Sequence, residues 1–405
     1  MIIDMPGAVV RADAEEIADD VQFGEDVVIE ARRIRIGRGC QIGVPDENAF
    51  RTPSGVRISV EWLDLGDGVR IGSAVAVRGG AIVLGDGVSV GRGTTINVTE
   101  RLSVGAGGLI GEENDIAGRH IEIGQEMWSG PRARIGGGSA FENTSRLSAG
   151  HYFHLGLDAF VNTARAVEIG HEVGLGTRTS IYTHGAYPSR LQGFPVAFDG
   201  VSIGDFTWVP GATINPGVSI GRNCVIGVNS LVTSDIPDGS LAAGSPAKVI
   251  REGAYPRPLG DEALTGFYEA FLGTYAALAG RDDAVPRRTP GGVQLAMPDM
   301  VVYFGAPADD ASTIAGPNAR VLVLGSGWAD HELPESWTAF DIAERRIAGM
   351  ADGASSGLAN ELRRYGIRFY SRPNGDVYES WETNVPQHAG THGPHENPRS
   401  ATVRQ

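Results

Sequence analysis

Aliphatic residues followed directly by glycine recur along roughly the first 250 residues of this 405-residue chain. They are clearest in 201–232, where Ile203-Gly204, Ile220-Gly221 and Ile226-Gly227 fall at multiples of about six residues. A fixed short period is typical of repeat folds, in which each repeat contacts only its neighbours. The pattern therefore predicts a stacked parallel β-helix.

The same steps extend back to about residue 21. They are Phe23-Gly24, Ile36-Gly37, Ile42-Gly43, Leu65-Gly66, Ile71-Gly72, Leu84-Gly85, Val90-Gly91, Val104-Gly105, Ile123-Gly124, Ile135-Gly136 and Ile169-Gly170. Gly66, Gly85, Gly105 and Gly124 lie about nineteen residues apart, which corresponds to one three-sided coil with an extra residue at a corner. We expect each corner to need a small residue that tolerates positive φ. Since strands of an ordinary barrel recur every 8–12 residues, the pattern favours an all-β parallel β-helix over residues 1–253.

Two segments without the repeat interrupt the coils, at 44–61 and 185–200. We expect both to be extruded loops, which often carry function. After Arg251 the repeat stops, and residues 261–279 show the apolar spacing of an amphipathic helix. We expect this helix, within the segment 254–281, to pack on the last coil and cover its open edge.

Beyond a linker at 282–290, residues 291–385 predict a small α/β or α+β domain. Strand-like runs lie at 300–304, 320–324 and 367–370, and a helix-like run lies at 355–365. The tail 386–405 holds three histidines among Gly, Pro and Asn residues, which predicts a disordered, solvated segment. A metal-binding tail is the alternative.

Charge and composition exclude several classes of protein. A net charge of −15 argues against nucleic acid as the main partner, because phosphate binding depends on Lys and Arg clusters. No apolar run reaches the length of a membrane span, and the N-terminus lacks the basic start of a signal peptide. Cys40 and Cys224 are too few for a disulfide framework, so we expect buried thiols and a cytoplasmic protein.

The stretch from about 155 to 251 resembles the hexapeptide-repeat acyltransferases, in the branch of maltose, galactoside, serine and xenobiotic acetyltransferases. The matching motifs are Val201-Ser-Ile-Gly-Asp-Phe-Thr-Trp208, Ile214-Asn-Pro-Gly-Val-Ser-Ile-Gly221, Val225-Ile-Gly-Val-Asn-Ser230, Val232-Thr-Ser-Asp-Ile-Pro237 and Ala243-Gly-Ser-Pro-Ala-Lys-Val-Ile-Arg251. The first 150 residues share only the repeat, and the last 150 share no recognised feature. The resemblance implies a left-handed β-helix, a homotrimer, and acetyl-CoA or another acyl-CoA as co-substrate without a metal.

The resemblance places the catalytic histidine just before the extruded loop, at His184. A neutral imidazole there would accept the proton of a hydroxyl or amine that attacks the thioester carbonyl. The alternative is a loop histidine without a catalytic role. Asn162 is a candidate for orienting the acceptor or His184, or else an ordinary turn asparagine. His154 and Tyr187 are further candidates for contacting the acceptor.

Carried over by position, a second set of residues would hold coenzyme A. Gly211, Val228, Asn229, Ser230 and Thr233 would line the pantetheine arm, Lys248 or Arg251 would meet the phosphates, and Trp208 would form part of the wall. The alternative for each of these residues is an ordinary position in a coil, without a role in binding coenzyme A. The chain also departs from the family, because it is one residue shorter after Trp208 and has Pro210 where glycine is expected. Proline cannot donate a backbone hydrogen bond to the thioester arm.

Four histidines, His151, His154, His171 and His184, fall in or near the coils and invite comparison with the γ-class carbonic anhydrases. That class binds zinc through a pair of ligands five residues apart and a distant third, a spacing that this chain lacks. The sequence therefore favours an acyl-CoA-dependent O- or N-acyltransferase acting on a sugar, amino sugar or specialised metabolite. A zinc lyase and a non-catalytic trimeric scaffold are the alternatives, and the acyl chain and carrier of the donor stay open.

Overall fold

The structure is a computed structural model that describes residues 2–5, 7–44, 55–307, 314–316, 319–328 and 331–370. It forms two compact units, with the boundary between Arg257 and Pro258. The predicted tail 386–405 and most of the predicted loop 44–61 lie outside the described residues. The end of that loop prediction is wrong, because a strand begins at Arg57.

The first unit is built almost entirely from short strands. In chain order they are β1 Ile2–Met5, β2 Ala8–Ile17, β3 Gln22–Phe23, β4 Val27–Ile36, β5 Gln41–Ile42, β6 Arg57–Leu65, β7 Arg70–Ile71, β8 Ala76–Leu84, β9 Ser89–Val90, β10 Thr95–Val104, β11 Leu109–Ile110, β12 Asp115–Ile123, β13 Trp128–Ser129, β14 Arg134–Gly136 and β15 Arg146–Ala149. They continue with β16 His154–Leu155, β17 Phe160–Asn162, β18 Val167–Ile169, β19 Gly174–Leu175, β20 Ser180–Ile181, β21 His184–Gly185, β22 Ala197–Phe198, β23 Val201–Ile203, β24 Trp208–Val209, β25 Thr213–Ile214, β26 Ser219–Ile220, β27 Val225–Ile226, β28 Leu231–Val232, β29 Leu241–Gly244 and β30 Ala247–Arg251.

Successive coils pair in parallel, and their inward aliphatic side chains form one continuous core. One column of that core contains Ile36, Leu65, Leu84, Val104 and Ile123, all buried. Among the described strands of this unit, antiparallel pairing occurs only between β1 and β2, β21 and β22, and β29 and β30. The predicted parallel β-helix is therefore confirmed.

The repeat glycines serve a different purpose from the one that the sequence suggested. Gly105 does not have positive φ; instead, a Cβ built there would lie 2.6 Å from the backbone nitrogen of Gln125 in the next coil. Non-glycine residues occupy many of the left-handed corner positions, among them Glu113 and Glu126, each with φ of 56°. The glycines are thus needed because adjacent coils approach closely, not because of their own backbone angles.

Three coils are longer than the rest. Register partners Asp115 and Arg134 are 19 residues apart, whereas Val28 and Arg57 are 29 apart, Arg134 and Phe160 are 26 apart, and Ser180 and Thr213 are 33 apart. The last interval contains the predicted loop 185–200. The Arg134–Phe160 interval contains an insertion at 137–145 that the sequence reading missed.

In its described residues, the second unit is a six-stranded mixed sheet with two helices. Its elements are α1 Asp261–Leu278, β31 Arg287–Thr289, β32 Gly292–Ala296, β33 Met300–Gly305, β34 Arg320–Gly325, β35 Trp337–Asp341, β36 Arg346–Gly349 and α2 Gly353–Arg364. Strands β33, β34 and β35 are parallel and their outer neighbours antiparallel. The run 367–370 contains no strand.

Helix α1 belongs to the second unit, and its expected packing on the last coil stays a prediction. Its buried residues, including Tyr268, Phe271 and Leu272, share a core with Val293 and Leu295 of strand β32. The helix therefore packs within the second unit, because its apolar face needs a sheet face to cover it. Neither helix in the described residues is long and apolar enough to cross a membrane.

Candidate active site

The chain leaves the β-helix at His184, at the start of a projecting hairpin. Strand β21 pairs antiparallel with β22, and His184 lies directly opposite Phe198. Residues 185–199 are exposed, and Tyr187, one of the expected acceptor contacts, is fully exposed on the hairpin. His184 itself is half-buried at the base.

Asn162 and His184, both singled out from the sequence, are brought into direct contact. The Asn162 Nδ2 donates to the carbonyl oxygens of Gly136, at 3.0 Å, and Gly138, at 3.3 Å. This orients the side-chain oxygen towards Thr183, whose hydroxyl donates to it at 2.6 Å, and towards the His184 Nδ1 at 2.9 Å.

The orientation of this amide determines the tautomer of His184. An amide oxygen can only accept a hydrogen bond, so the His184 Nδ1 that faces it carries the hydrogen. The Nε2 of the neutral ring is then left with its lone pair. Gly138 lies beside that atom, since a Cβ built at Gly138 would be 3.4 Å from Nε2. The glycine keeps the space next to the basic nitrogen open.

The other face of His184 carries residues that the sequence did not suggest. The Phe198 ring stacks on the imidazole, with centroids 5.8 Å apart and 17° between planes. The Arg165 guanidinium lies 4.9 Å from the centre of the Phe198 ring. Arg165 in turn pairs with Glu142 of the 137–145 insertion at 3.2 Å. Hydrogen bonds from Ser139 and Arg165 lower the pKa of Glu142, so its carboxyl group is ionised.

Two of the other histidines have structural roles at a corner of the β-helix. The His151 Nδ1 accepts a hydrogen bond from the backbone of Gln125 at 2.9 Å, and the His171 Nδ1 accepts one from the backbone of His151 at 3.0 Å. Burial, with the neighbouring His171 as a smaller cause, lowers the pKa of His151 to about 4. Burial also lowers the pKa of His171, against an opposing effect of Asp205. Both rings are therefore neutral at pH 7.

His154, expected to contact the acceptor, lies on an outer face of the β-helix. Its ring stacks on Trp128 at 4.5 Å and meets the edge of Trp208 at 6.2 Å. In the described part of the chain, no three His, Cys, Asp or Glu side chains are grouped as a metal site would require. The four histidines that raised the zinc alternative therefore lie in three different places. His151 and His171 are at a corner, His154 is on an outer face, and His184 is at the base of the hairpin.

Comparison with solved structures finds acetyltransferases at low similarity. The chain is 25% identical to the hexapeptide-repeat-containing acetyltransferase VCA0836 of Vibrio cholerae, whose crystal structure contains acetyl-CoA, over 37% of this chain and 69% of that one, with a TM-score of 0.23. It is 30% identical to a maltose O-acetyltransferase of Clostridium difficile over 34% of this chain and 68% of that one, also with a TM-score of 0.23. No protein-family model matches the chain.

Curated relatives have higher sequence identity to the chain, 40% and 32% for two of them. The chain is 40% identical to YJL218W of Saccharomyces cerevisiae over 113 residues, which are 27% of this chain and 57% of that protein. It is 32% identical to the galactoside O-acetyltransferase of Escherichia coli over 134 residues, which are 32% of this chain and 63% of that protein. By sequence, this chain is a relative of acetyltransferases over about a third of its length. It spans less than two thirds of the length of both curated relatives.

In this hexapeptide-repeat chain the shortened coil forms a tight corner. Gly174 and Trp208 are register partners that begin the same side in two successive coils. The next side begins six residues after Gly174, at Ser180, but only five residues after Trp208, at Thr213. The backbone nitrogen of Gly211 donates to the Val209 oxygen at 2.9 Å, which closes the turn. Gly211 has φ of 101°, a value that favours glycine.

The residues expected to hold coenzyme A surround this corner and the one after it. Asn229 donates from its backbone to the Gly211 oxygen at 2.8 Å, and Val228 beside it is exposed. Ser230 is buried; its hydroxyl donates to the Gly227 oxygen at 2.7 Å and accepts from the Gly244 nitrogen at 3.1 Å. The Ser230 hydroxyl therefore joins two coils.

The remaining coenzyme A candidates are exposed. Trp208 lies over Gly174 of the preceding coil, where a Cβ would be 2.3 Å from the indole ring. Thr233 follows β28, while Lys248 and Arg251 are on β30, the last strand of the β-helix. Their two cationic side chains are available to a phosphate-bearing ligand.

Proposed function

We propose that this chain transfers an acyl group, in the simplest case acetyl, from acyl-CoA to a hydroxyl or amine, with His184 as the general base. The observation that carries the proposal is the 2.9 Å contact between Asn162 Oδ1 and His184 Nδ1. It assigns the ring hydrogen to Nδ1 and leaves Nε2 free to accept a proton. Gly138 leaves space beside Nε2 for the acceptor.

In the proposed reaction, Nε2 removes the proton from the acceptor hydroxyl or amine as its oxygen or nitrogen bonds to the thioester carbon. The resulting imidazolium is stabilised by Asn162, whose oxygen accepts the Nδ1 hydrogen bond. The tetrahedral intermediate then collapses, the carbon–sulfur bond breaks, and Nε2 returns the proton to the departing sulfur. General-base catalysis of this kind contributes roughly 10²–10⁴-fold.

The donor and acceptor are proposed on separate grounds. Exposed Lys248 and Arg251 on the last strand suit the phosphates of coenzyme A, and the exposed Trp208 suits a wall of its groove. A sugar hydroxyl is the proposed acceptor, because one relative is a galactoside O-acetyltransferase. A homotrimer is proposed with it, since the exposed side chains of Leu109, Trp128 and Trp208 lie in one column of the β-helix, with His154 and Gly174 between the two tryptophans.

The test measures thiol release from acetyl-CoA with a panel of galactosides, maltose and amino sugars. We expect His184→Gln to lower the rate at least 100-fold and to leave the thermal unfolding midpoint unchanged. His120→Gln is the matched control, because His120 lies on β12 and pairs with Glu122. A His184→Gln protein as active as the wild type would exclude His184 as the base, and a wild type that released no thiol with any acceptor would count against the transferase.

A further inference from the structure

We propose that Arg165 is a positioning residue for His184, and that it acts by holding Phe198 against the imidazole. The inference rests on the proposed function, since it concerns the same histidine. Three groups are stacked in series: the His184 imidazole, the Phe198 ring at 5.8 Å, and the Arg165 guanidinium at 4.9 Å on Phe198. Both separations are within the range of favourable ring–ring and cation–π contacts.

The first step of the argument concerns the hairpin. His184 and Phe198 are directly opposed across β21 and β22, so their side chains are on the same face of a two-stranded ribbon. An isolated pair of strands is marginally stable in water, and residues 185–199 are exposed. The hairpin therefore needs an attachment to the β-helix if the Phe198 ring is to keep one position over His184.

Arg165 supplies that attachment. One of its guanidinium nitrogens donates to the Thr144 hydroxyl at 2.8 Å and to the Ala164 oxygen at 2.7 Å, and lies 3.2 Å from the Glu142 carboxylate. Its backbone nitrogen donates to the Thr183 hydroxyl at 3.1 Å, one residue before His184. A guanidinium held at several points is a fixed surface against which the aromatic ring packs.

The insertion at 137–145, which contributes Glu142 and Thr144, also acts on the Nδ1 of His184. The Gly138 carbonyl, together with that of Gly136, fixes the Asn162 amide, which determines the His184 tautomer. Glu142 and Thr144 fix Arg165, which determines the position of Phe198. The six or so extra residues of this coil thus place His184 by two routes, one through a hydrogen bond and one through the stacked rings.

The test is a double-mutant cycle with Arg165→Met and Phe198→Leu. The assay uses acetyl-CoA and whichever galactoside, maltose or amino sugar reacts fastest with the wild type. We expect each single variant to lower kcat about ten- to a hundred-fold, because a misplaced base loses its geometry, with the KM for acetyl-CoA within about two-fold of the wild type. In the Phe198→Leu background, Arg165→Met should have almost no further effect. Phe198→Tyr, which keeps the ring, should retain most of the activity.

Arg134→Met is the matched control, since it removes a guanidinium that lies 5.9 Å from the Phe160 ring without contacting His184 or Phe198. If the two losses of kcat multiply in the double variant, the inference is overturned. Arg165 would then affect the reaction independently of Phe198, through its own charge or through the unpaired Glu142. A raised acceptor KM with unchanged kcat would overturn it too, by making Arg165 a binding residue. Full activity of Arg165→Met in an enzyme that still requires His184 would reject this inference and leave the proposed function standing.

Discussion

The Asn162 side-chain oxygen lies 2.9 Å from the Nδ1 of His184, and the Asn162 amide group is held in that orientation by two backbone carbonyls. The buried asparagine therefore fixes the tautomer of the histidine, and in the proposed reaction it would take the part that a carboxylate plays beside a catalytic histidine. It does so without a buried charge, which would be costly in this interior.

Replacing Asn162 should separate its two roles. Asn162→Ala leaves the Gly136 and Gly138 carbonyls and Nδ1 without this partner, so we expect kcat to fall about ten- to a hundred-fold and stability to fall by about 1–3 kcal/mol. Asn162→Asp keeps an acceptor for Nδ1 but places carboxylate oxygen against carbonyl oxygen. It should retain more activity than Asn162→Ala while also lowering the unfolding midpoint. Kinetics and thermal unfolding together check this, and wild-type kcat in Asn162→Ala would contradict it.

The corner histidines predict a pH-dependent stability. The pKa of His151 is about 4 in the folded chain and has its ordinary value of 6.5 when unfolded. Because the folded value is the lower one, the stabilisation is complete above about pH 6.5 and is lost as the pH falls towards 4. The loss should reach on the order of 3 kcal/mol.

His151→Asp is the informative variant, since Asp67 and Asp205 accept the same type of backbone hydrogen bond at equivalent corners. We expect its stability to change less than that of the wild type between pH 6.5 and 5. Denaturant unfolding across this range measures the difference. Equal pH dependence in the two proteins would show that His151 is not the titrating group.

The repeat glycines predict a contrast between two positions. Gly105→Ala places a Cβ 2.6 Å from the Gln125 nitrogen, so adjacent coils must separate, and we expect a loss of about 3 kcal/mol. Gly68 has φ of 67° and open space around it. Asparagine already adopts such angles at Asn223 and Asn229, so Gly68→Asn should cost less than about 1 kcal/mol. Similar midpoints for the two variants would refute the close-approach explanation.

Much of the β-helix could be predicted because its stability is local. Each inward aliphatic residue and each following glycine meets the same neighbours one coil away, so the period in the sequence is repeated in space. His184 could be found for a related reason: it stands where the period is interrupted before the projecting hairpin. The insertion at 137–145 had a weaker signal, a 26-residue interval beginning with three consecutive glycines, Gly136 to Gly138.

The sequence by itself determined the repeat, its aliphatic core, the shortened corner at Pro210 and the position of the histidine. It also offered Asn162 as a candidate for orienting that histidine, but only the tertiary structure decided that the two are in contact and which other groups surround the ring. Asn162, Glu142, Arg165 and Phe198 come from two different insertions and the coil between them, and no short period relates them. These residues come into contact because the extruded segments fold back onto the stacked coils. Such contacts depend on side-chain geometry in space, and the pattern of residues along the chain does not contain that geometry.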